Sequence, residues 1–328
     1  MHSIRHLFPV KVKVGSRNKY GYIDDRGSVI VEPQFTSAGW FENGFAVVTS
    51  TPNSEGVIDE SGQICVPPIK DSRIKGYSPD GLSGCFVGEI PNDLGGVIDG
   101  RGNFVIPCNY RSIGYCAEGR VPFRREAEMQ HGYLDYQNRV VIPPQYDSVG
   151  SFRSGRAIVG KEDRFGFIDL AGNIAIPFDF ERASAFHEGL ALVRIPNDLG
   201  WSAIDTGGRW RFRSLYDVIY TFSEGLAGFR NGDSDDALWG FINTAGQVAI
   251  DPIHEAVAHF SEGIGRVFSD GRWFYVNRDG TRLFSEGFDE CSEFRNGLAL
   301  VKAFGKKRYG YINNVGVWIW STSLDMFS

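Results

Sequence analysis

The chain is poor in cysteine, and what it has is not spaced for chemistry. Cys65, Cys85, Cys108, Cys116 and Cys291 are odd in number, scattered, and contain no Cys-x-x-Cys pair. That argues against both a zinc ribbon and a disulfide framework. Long apolar runs are missing too. No stretch approaches the ~20 apolar residues of a membrane-spanning helix, and the opening MHSIRHLFPVKVKVG lacks the apolar core of a secretion signal. A soluble protein of the reducing cytoplasm is expected, with no membrane contact. Positive charge is not in excess: the net charge is −6, whereas duplex DNA and RNA binders need a basic footprint. No nucleic-acid partner is expected. His-Glu-x-x-His, a glycine-rich phosphate loop and Gly-x-Ser-x-Gly are all absent, and with them the motifs of zinc hydrolases, nucleotide enzymes and serine hydrolases. The sequence thus offers no catalytic residue, no metal ligand and no cofactor. It also contains no amphipathic helical pattern.

What is present is a repeat. Hydrophobic residues make up 42% and charged residues 23%, the balance of a globular protein. The phrase Gly-aromatic-Ile-Asp-x-x-Gly, first seen as GYIDDRG at 21–27, recurs throughout. Its Asp or Asn is found at Asp24, Asp59, Asp99, Asp135, Asp169, Asp205, Asn243, Asn277 and Asn313, at spacings of 34 to 40 residues. Nine copies make a single repeat domain over residues 1–328. Three residues after each Asp or Asn stands a glycine, with Asn138 the one exception. Glycine and asparagine enter the left-handed backbone region most cheaply, so the slot predicts a positive φ in a tight hairpin turn.

Each copy reads as three strands, with room for a short fourth. A phrase such as FHEGLALV (186–193) gives a turn and an apolar strand; a variable tip and a strand ending in Ile-Asp follow. A third strand such as RVVIPP (139–144) is stopped by proline, which has no N–H to donate and therefore marks an edge. A unit this small cannot bury its apolar face alone, so neighbours must stack. The fold class is all-β. A period near 36 is short for four full strands, which favours an open superhelical array of antiparallel units; the alternative is a closed toroid like a β-propeller.

The copies FGFIDLAGNIAIPFDF (165–180) and WGFINTAGQVAIDP (239–252), with the phrase FSEGLA (222–227), resemble the WG-repeat family, also called KWG repeats. The resemblance covers about nine-tenths of the chain. A literal Trp-Gly stands in the slot only at Trp239–Gly240, and the copies around Trp201 and Trp273 lose the strand glycine. The resemblance implies a bacterial binding scaffold rather than an enzyme, and it carries no catalytic residues onto this chain.

The recurring acids invite a catalytic reading, but Asn243, Asn277 and Asn313 keep the acceptor oxygen and lose the charge. A general base or hard-metal ligand does not tolerate that exchange, so the nine positions read as turn acceptors. Glu188, Glu224 and Glu262, with Asn43, Ser154 and Asn296 in equivalent slots, also read as turn residues. Asp233, Asp235 and Asp236 crowd one variable tip, without the glycine and distal glutamate of a calcium loop.

Two features do not recur. RWRFR in the sixth copy puts Arg211 where the siblings are apolar. Alternation places Arg209, Arg211 and Arg213 on one face, with Trp210 and Phe212 on the core side. Either the arginine stems lie over apolar neighbours, or the stripe meets an acidic surface on a partner protein. The hexapeptide IPNDLG occurs at 90–95 and 195–200, presenting Asn92, Asp93 and Leu94, and Asn197, Asp198 and Leu199 ahead of Trp201, at matching tips. Asp99 and Asp205 lie 106 residues apart and Asp169 and Asn277 lie 108 apart, the mark of a duplicated three-repeat block.

The function expected from these features is a non-catalytic protein-binding scaffold, in one form a cytoplasmic immunity-type protein that neutralises a toxin or effector. A carbohydrate- or small-ligand-binding lectin using Trp40, Trp201, Trp273 and Trp318 is the alternative. A hydrolase with an acidic site assembled across repeats is the third reading.

Overall fold

The computed structural model describes residues 6–88, 93–232, 237–303, 305 and 307–323, with Ser214 and Leu215 described by their backbone only. Among these residues there is no α-helix. The strands form nine small antiparallel sheets in chain order, and the fold is a nine-bladed β-propeller. This is the toroidal alternative, not the open array. The reason lies in the links between copies. Among the described residues, six blades open on a strand of two residues beside the long hairpin, such as Ser148–Val149 and Arg182–Ala183. A first strand this short lets four strands fit a period near 36.

The chain divides into two compact units. One comprises the residues up to Glu162 together with Phe167–Ile174; the other comprises Asp163–Gly166 and the residues from Ala175 onward. In the first, a representative blade runs Ser37–Ala38, Phe45–Thr51, Ser54–Asp59 and Ile64–Lys70. In the second, the sixth blade runs Arg182–Ala183, Leu190–Arg194, Trp201–Asp205 and Trp210–Tyr216. In both of these blades the two-residue strand is one edge of the sheet and the strand bearing the proline slot is the other.

The glycine of the aromatic-Gly-aromatic phrase has a steric cause. A Cβ on Gly132 would sit 2.4 Å from the Ile142 carbonyl oxygen, and one on Gly240 would sit 2.4 Å from that of Ile250. The outer strand bulges at this point and presses its backbone onto the glycine. In the eighth copy Phe274 stands in the slot, and the blade keeps only three strands, Ala256–Ser261, Ile264–Ser269 and Arg272–Val276. The following segment touches it through two isolated bridges, Trp273 to Phe288 and Val276 to Arg282.

Successive blades are joined by aromatic rings. The third-strand aromatic of one blade meets the Phe of Phe-x-x-Gly in the next: Tyr22 with Phe41, Tyr133 with Phe152, Phe241 with Phe260 and Tyr275 with Phe294, at centroid distances of 5.3, 5.1, 4.9 and 4.8 Å. The rings meet edge-on or tilted, as their quadrupoles prefer. Where the ring is tyrosine, its buried hydroxyl donates to a carbonyl of the next blade: Tyr22 to Gly39, Tyr133 to Gly150 and Tyr275 to Ser292. The turn glycines complete the joint. Gly62, Gly102 and Gly172 rest on Val31, Val66 and Ile142 of the preceding outer strand.

Replacing Gly240 by alanine forces a Cβ into the Ile250 carbonyl, and the expected loss of stability is about 1–3 kcal/mol in urea unfolding. A Gly240→Ala protein as stable as the parent contradicts this account of the bulge.

Candidate functional site

The recurring acids are occupied by their own turns. In all nine copies the Oδ1 of the Asp or Asn accepts the N–H groups two and four residues on. Asp24 accepts from Arg26 and Ser28 at 3.0 and 2.8 Å; Asn243 accepts from Ala245 and Gln247, both at 3.0 Å. The backbone closes beneath, as where the Gly172 N–H donates to the Asp169 carbonyl at 3.0 Å. The slot three residues on has positive φ in every copy, from 61° at Asn138 to 88° at Gly172. Hydrogen bonds from the Asn173 side chain and backbone hold the Asp169 carboxyl below its ordinary 3.8. For Asp205 the Arg209 N–H is the main cause, with the Arg209 and Arg211 charges assisting against burial. Among the described residues no group of three or more His, Cys, Asp or Glu could hold a metal ion. The acidic tip of Asp233, Asp235 and Asp236 lies outside the described residues.

The Glu-Gly turns do more than sequence reading assigned to them. Glu118, Glu188, Glu224 and Glu262 take φ of 51–55°, a region that costs a non-glycine residue about 1–2 kcal/mol. Each carboxylate then reaches the equivalent turn of the next blade. Glu118 accepts the Gly155 N–H at 2.9 Å, Glu188 accepts Glu224 and Gly225 at 2.5 and 2.8 Å, Glu224 accepts Gly263 at 2.8 Å, and Glu262 accepts Gly297 at 2.9 Å. Charge-assisted bonds of this kind are of the size that offsets the backbone cost. The signal was in the sequence: asparagine or glycine is cheaper at a positive φ, so recurrent glutamate there implies that its side chain is in use.

The two IPNDLG tips both fall between the second and third strands, but they are not copies of one site. Asn92 lies outside the described residues. Asp93 is buried and paired with the Arg73 guanidinium, and Leu94, half-buried, opens the strand Leu94–Asp99. In the second tip Asn197 is exposed at φ 65°, and the Asp198 N–H donates to Ile195 at 3.2 Å. Leu199 is 78% exposed in the loop. Trp201, half-buried, opens the next strand. The described residues of the two tips meet different neighbours.

The sixth blade carries the exception. Arg209, Arg211 and Arg213 are exposed, and none forms an ion pair within 4.0 Å among the described residues. Phe212 faces the core at 7% exposure, but Trp210 is 41% exposed, a correction to the alternation argument. The strand-opening slot is an outward one in the siblings as well, where Val29, Ile64, Phe104, Val140, Ile174 and Val248 are also exposed. The register shift opposite Ala203 and Ile204 breaks the simple alternation. Arg213 lies over the Trp210 ring at 4.8 Å, and Trp210 meets Phe180 edge-on at 6.3 Å. These groups, with Ile176, Pro177 and Ile195, line a cleft of about 330 Å³. The structure thus brings Arg213 close to the second tip. The tryptophans suggested as sugar platforms are half-buried; Trp273 packs against Phe268 at 5.4 Å and Trp318 lies beneath Arg308 at 4.2 Å.

The lowered aspartates give a pH signature. A folded value below 3.8 stabilises the protein above that pH, and the gain is lost as pH falls through the folded value. Replacing Asp169 and Asp205 together by asparagine, the residue of blades seven to nine, leaves urea stability at pH 7 nearly unchanged. It reduces the loss between pH 4 and pH 2.5. An unchanged acid loss in this variant contradicts the assignment.

Comparison with known proteins follows the same lines. A crystal structure of a eukaryotic initiation factor is 12% identical, with 95% of each chain covered and a TM-score of 0.60. BamB from Moraxella catarrhalis is 10% identical over 81% of this chain and 93% of its own, at a TM-score of 0.48. At 12% identity the likeness to the initiation factor is one of fold alone. No curated protein sequence matches the chain. The family model for the WG containing repeat matches residues 20–49, 96–126, 132–164, 165–198, 201–233, 239–273 and 273–307. These seven segments span well over half of the chain, which therefore belongs to the WG-repeat family.

Proposed function

We propose that this protein is a non-catalytic scaffold that binds another protein through the outer face of its sixth blade, and that the bound surface is acidic. One observation carries the reading. Three exposed arginines stand side by side, with no carboxylate in ion-pair reach among the described residues, on a chain of net charge −6. In the sibling blades the slot of Arg211 is apolar, and that of Arg213 is proline in four of eight and never a cation. Arginine beside an exposed tryptophan is the pairing that interface hot spots favour, and a local charge of opposite sign to the whole steers an acidic partner. The recurring polar side chains are already engaged in turns and blade joints, which leaves the non-recurring ones for recognition.

The setting we propose is the cytoplasm. Cys65, Cys85, Cys108, Cys116 and Cys291 are all free thiols, as suits a reducing compartment. An immunity-type role, in which the scaffold caps a toxic partner, is the form of this reading that needs no chemistry from the chain.

Co-purification from the native host tests the proposal. The wild-type chain is expected to retain a partner at moderate salt, and Arg211→Glu to reduce the retained amount at least tenfold without changing the melting temperature. Equal retention by both proteins, or a clean monomer with no partner, counts against it.

A further inference from the structure

Arg211 and Arg213 of the sixth blade sit on an edge strand, with Arg209 just before it, and edge strands in this fold carry a common guard. Proline interrupts the outer strand at Pro33, Pro68, Pro107, Pro144, Pro177 and Pro252, in blades one to five and seven. Lacking an N–H, it prevents a further strand from pairing along the edge. The sixth blade has no such residue. Its outer strand Trp210–Tyr216 is proline-free, forms the edge of its sheet and pairs on one side only, with Trp201–Asp205. Arg213 stands in the slot filled by Pro67, Pro107, Pro143 and Pro177, and Ser214 in the next, filled by Pro68 and Pro144. Because both slots take proline in sibling blades, neither N–H is needed inside the sheet.

We infer that the partner contributes an extended acidic segment, which adds to this edge as a fifth strand. The inference rests on the protein-binding reading above and specifies its mode. Backbone pairing along Trp210–Tyr216 supplies the affinity, and acidic side chains of the segment meet the exposed Arg211 and Arg213 of the strand and Arg209 just before it. The charge row also selects the occupant. Two copies of this edge would bring six arginines together, so self-pairing is opposed by like charge, while an acidic strand is attracted. The outer strand of the ninth blade, Trp318–Ser323, is likewise proline-free but holds no charged residue, so it offers an edge without this selection.

The probe is a fluorescein-labelled, end-blocked heptapeptide of alternating glutamate and valine, with lysine replacing glutamate in the control. Wild-type protein is expected to bind the acidic peptide and not the lysine peptide, with binding weakened by salt. Ser214→Pro keeps every arginine and restores the guard; it is expected to weaken binding at least tenfold. Arg211→Glu keeps the edge and is expected to do the same. N-methylation of alternate peptide nitrogens blocks edge pairing without altering the protein, and a tenfold loss is expected there too, so the test does not depend on how Ser214→Pro folds. Undiminished binding of the N-methylated peptide, with loss only in Arg211→Glu, overturns strand addition and leaves the acidic-surface reading standing. No binding of the acidic peptide by wild type also overturns strand addition. Co-purification with Arg211→Glu reports separately on the broader reading.

Discussion

Everything in this protein depends on the joint between one blade and the next. A sheet of about 36 residues has too little apolar surface of its own to offset the conformational entropy of ordering it. The joint supplies the missing burial by a repeated arrangement: an aromatic ring of one blade against the phenylalanine of the next, and a turn glycine seated on the preceding valine or isoleucine. Glutamates at positive φ then tie consecutive turns together. Position by position, the recurring residues are those the joint and the turns require. Glycine is needed where a bulged strand presses on the backbone, Asp or Asn where a turn needs an acceptor, and proline where an edge must stay unpaired.

That division explains what the residues alone revealed. The period, the all-β class and the positive-φ slot were legible because each rests on a local rule that one residue type satisfies. Asn138 at φ 61° and the paired N–H groups on Asn243 follow directly from the pattern. The two-residue strands were not legible, since nothing of that length has periodicity, and without them the open array was the simpler count. Trp210 was misplaced because a register shift breaks alternation where the arginines lie. The two hexapeptide tips look equivalent in sequence, yet Asp93 is buried against Arg73 while its twin Asp198 is half-buried in a loop. Long-range partners of this kind leave no trace in a short motif.

The same division locates function by contrast. Side chains that recur nine times serve the scaffold, and those that break the pattern are free to serve recognition. The sixth blade breaks it two ways at once: it replaces an apolar slot with arginine and omits the edge proline. The eighth blade breaks it differently, placing Phe274 where glycine is required and losing its fourth strand. There the nearby charge is engaged, with Arg282 over the Phe274 ring at 3.6 Å and paired with Asp270 at 3.8 Å, and that marks the difference between a defect in the repeat and a candidate surface.

Amide hydrogen exchange of the protein, alone and with its captured partner, tests the central claim that recurring positions hold the fold and the exceptional blade holds the function. The account predicts new protection concentrated in the strand Trp210–Tyr216, with the nine Asx turns and the Glu-Gly turns unchanged. Protection spread evenly over the equivalent turns of many blades, or absent from that strand, would contradict it.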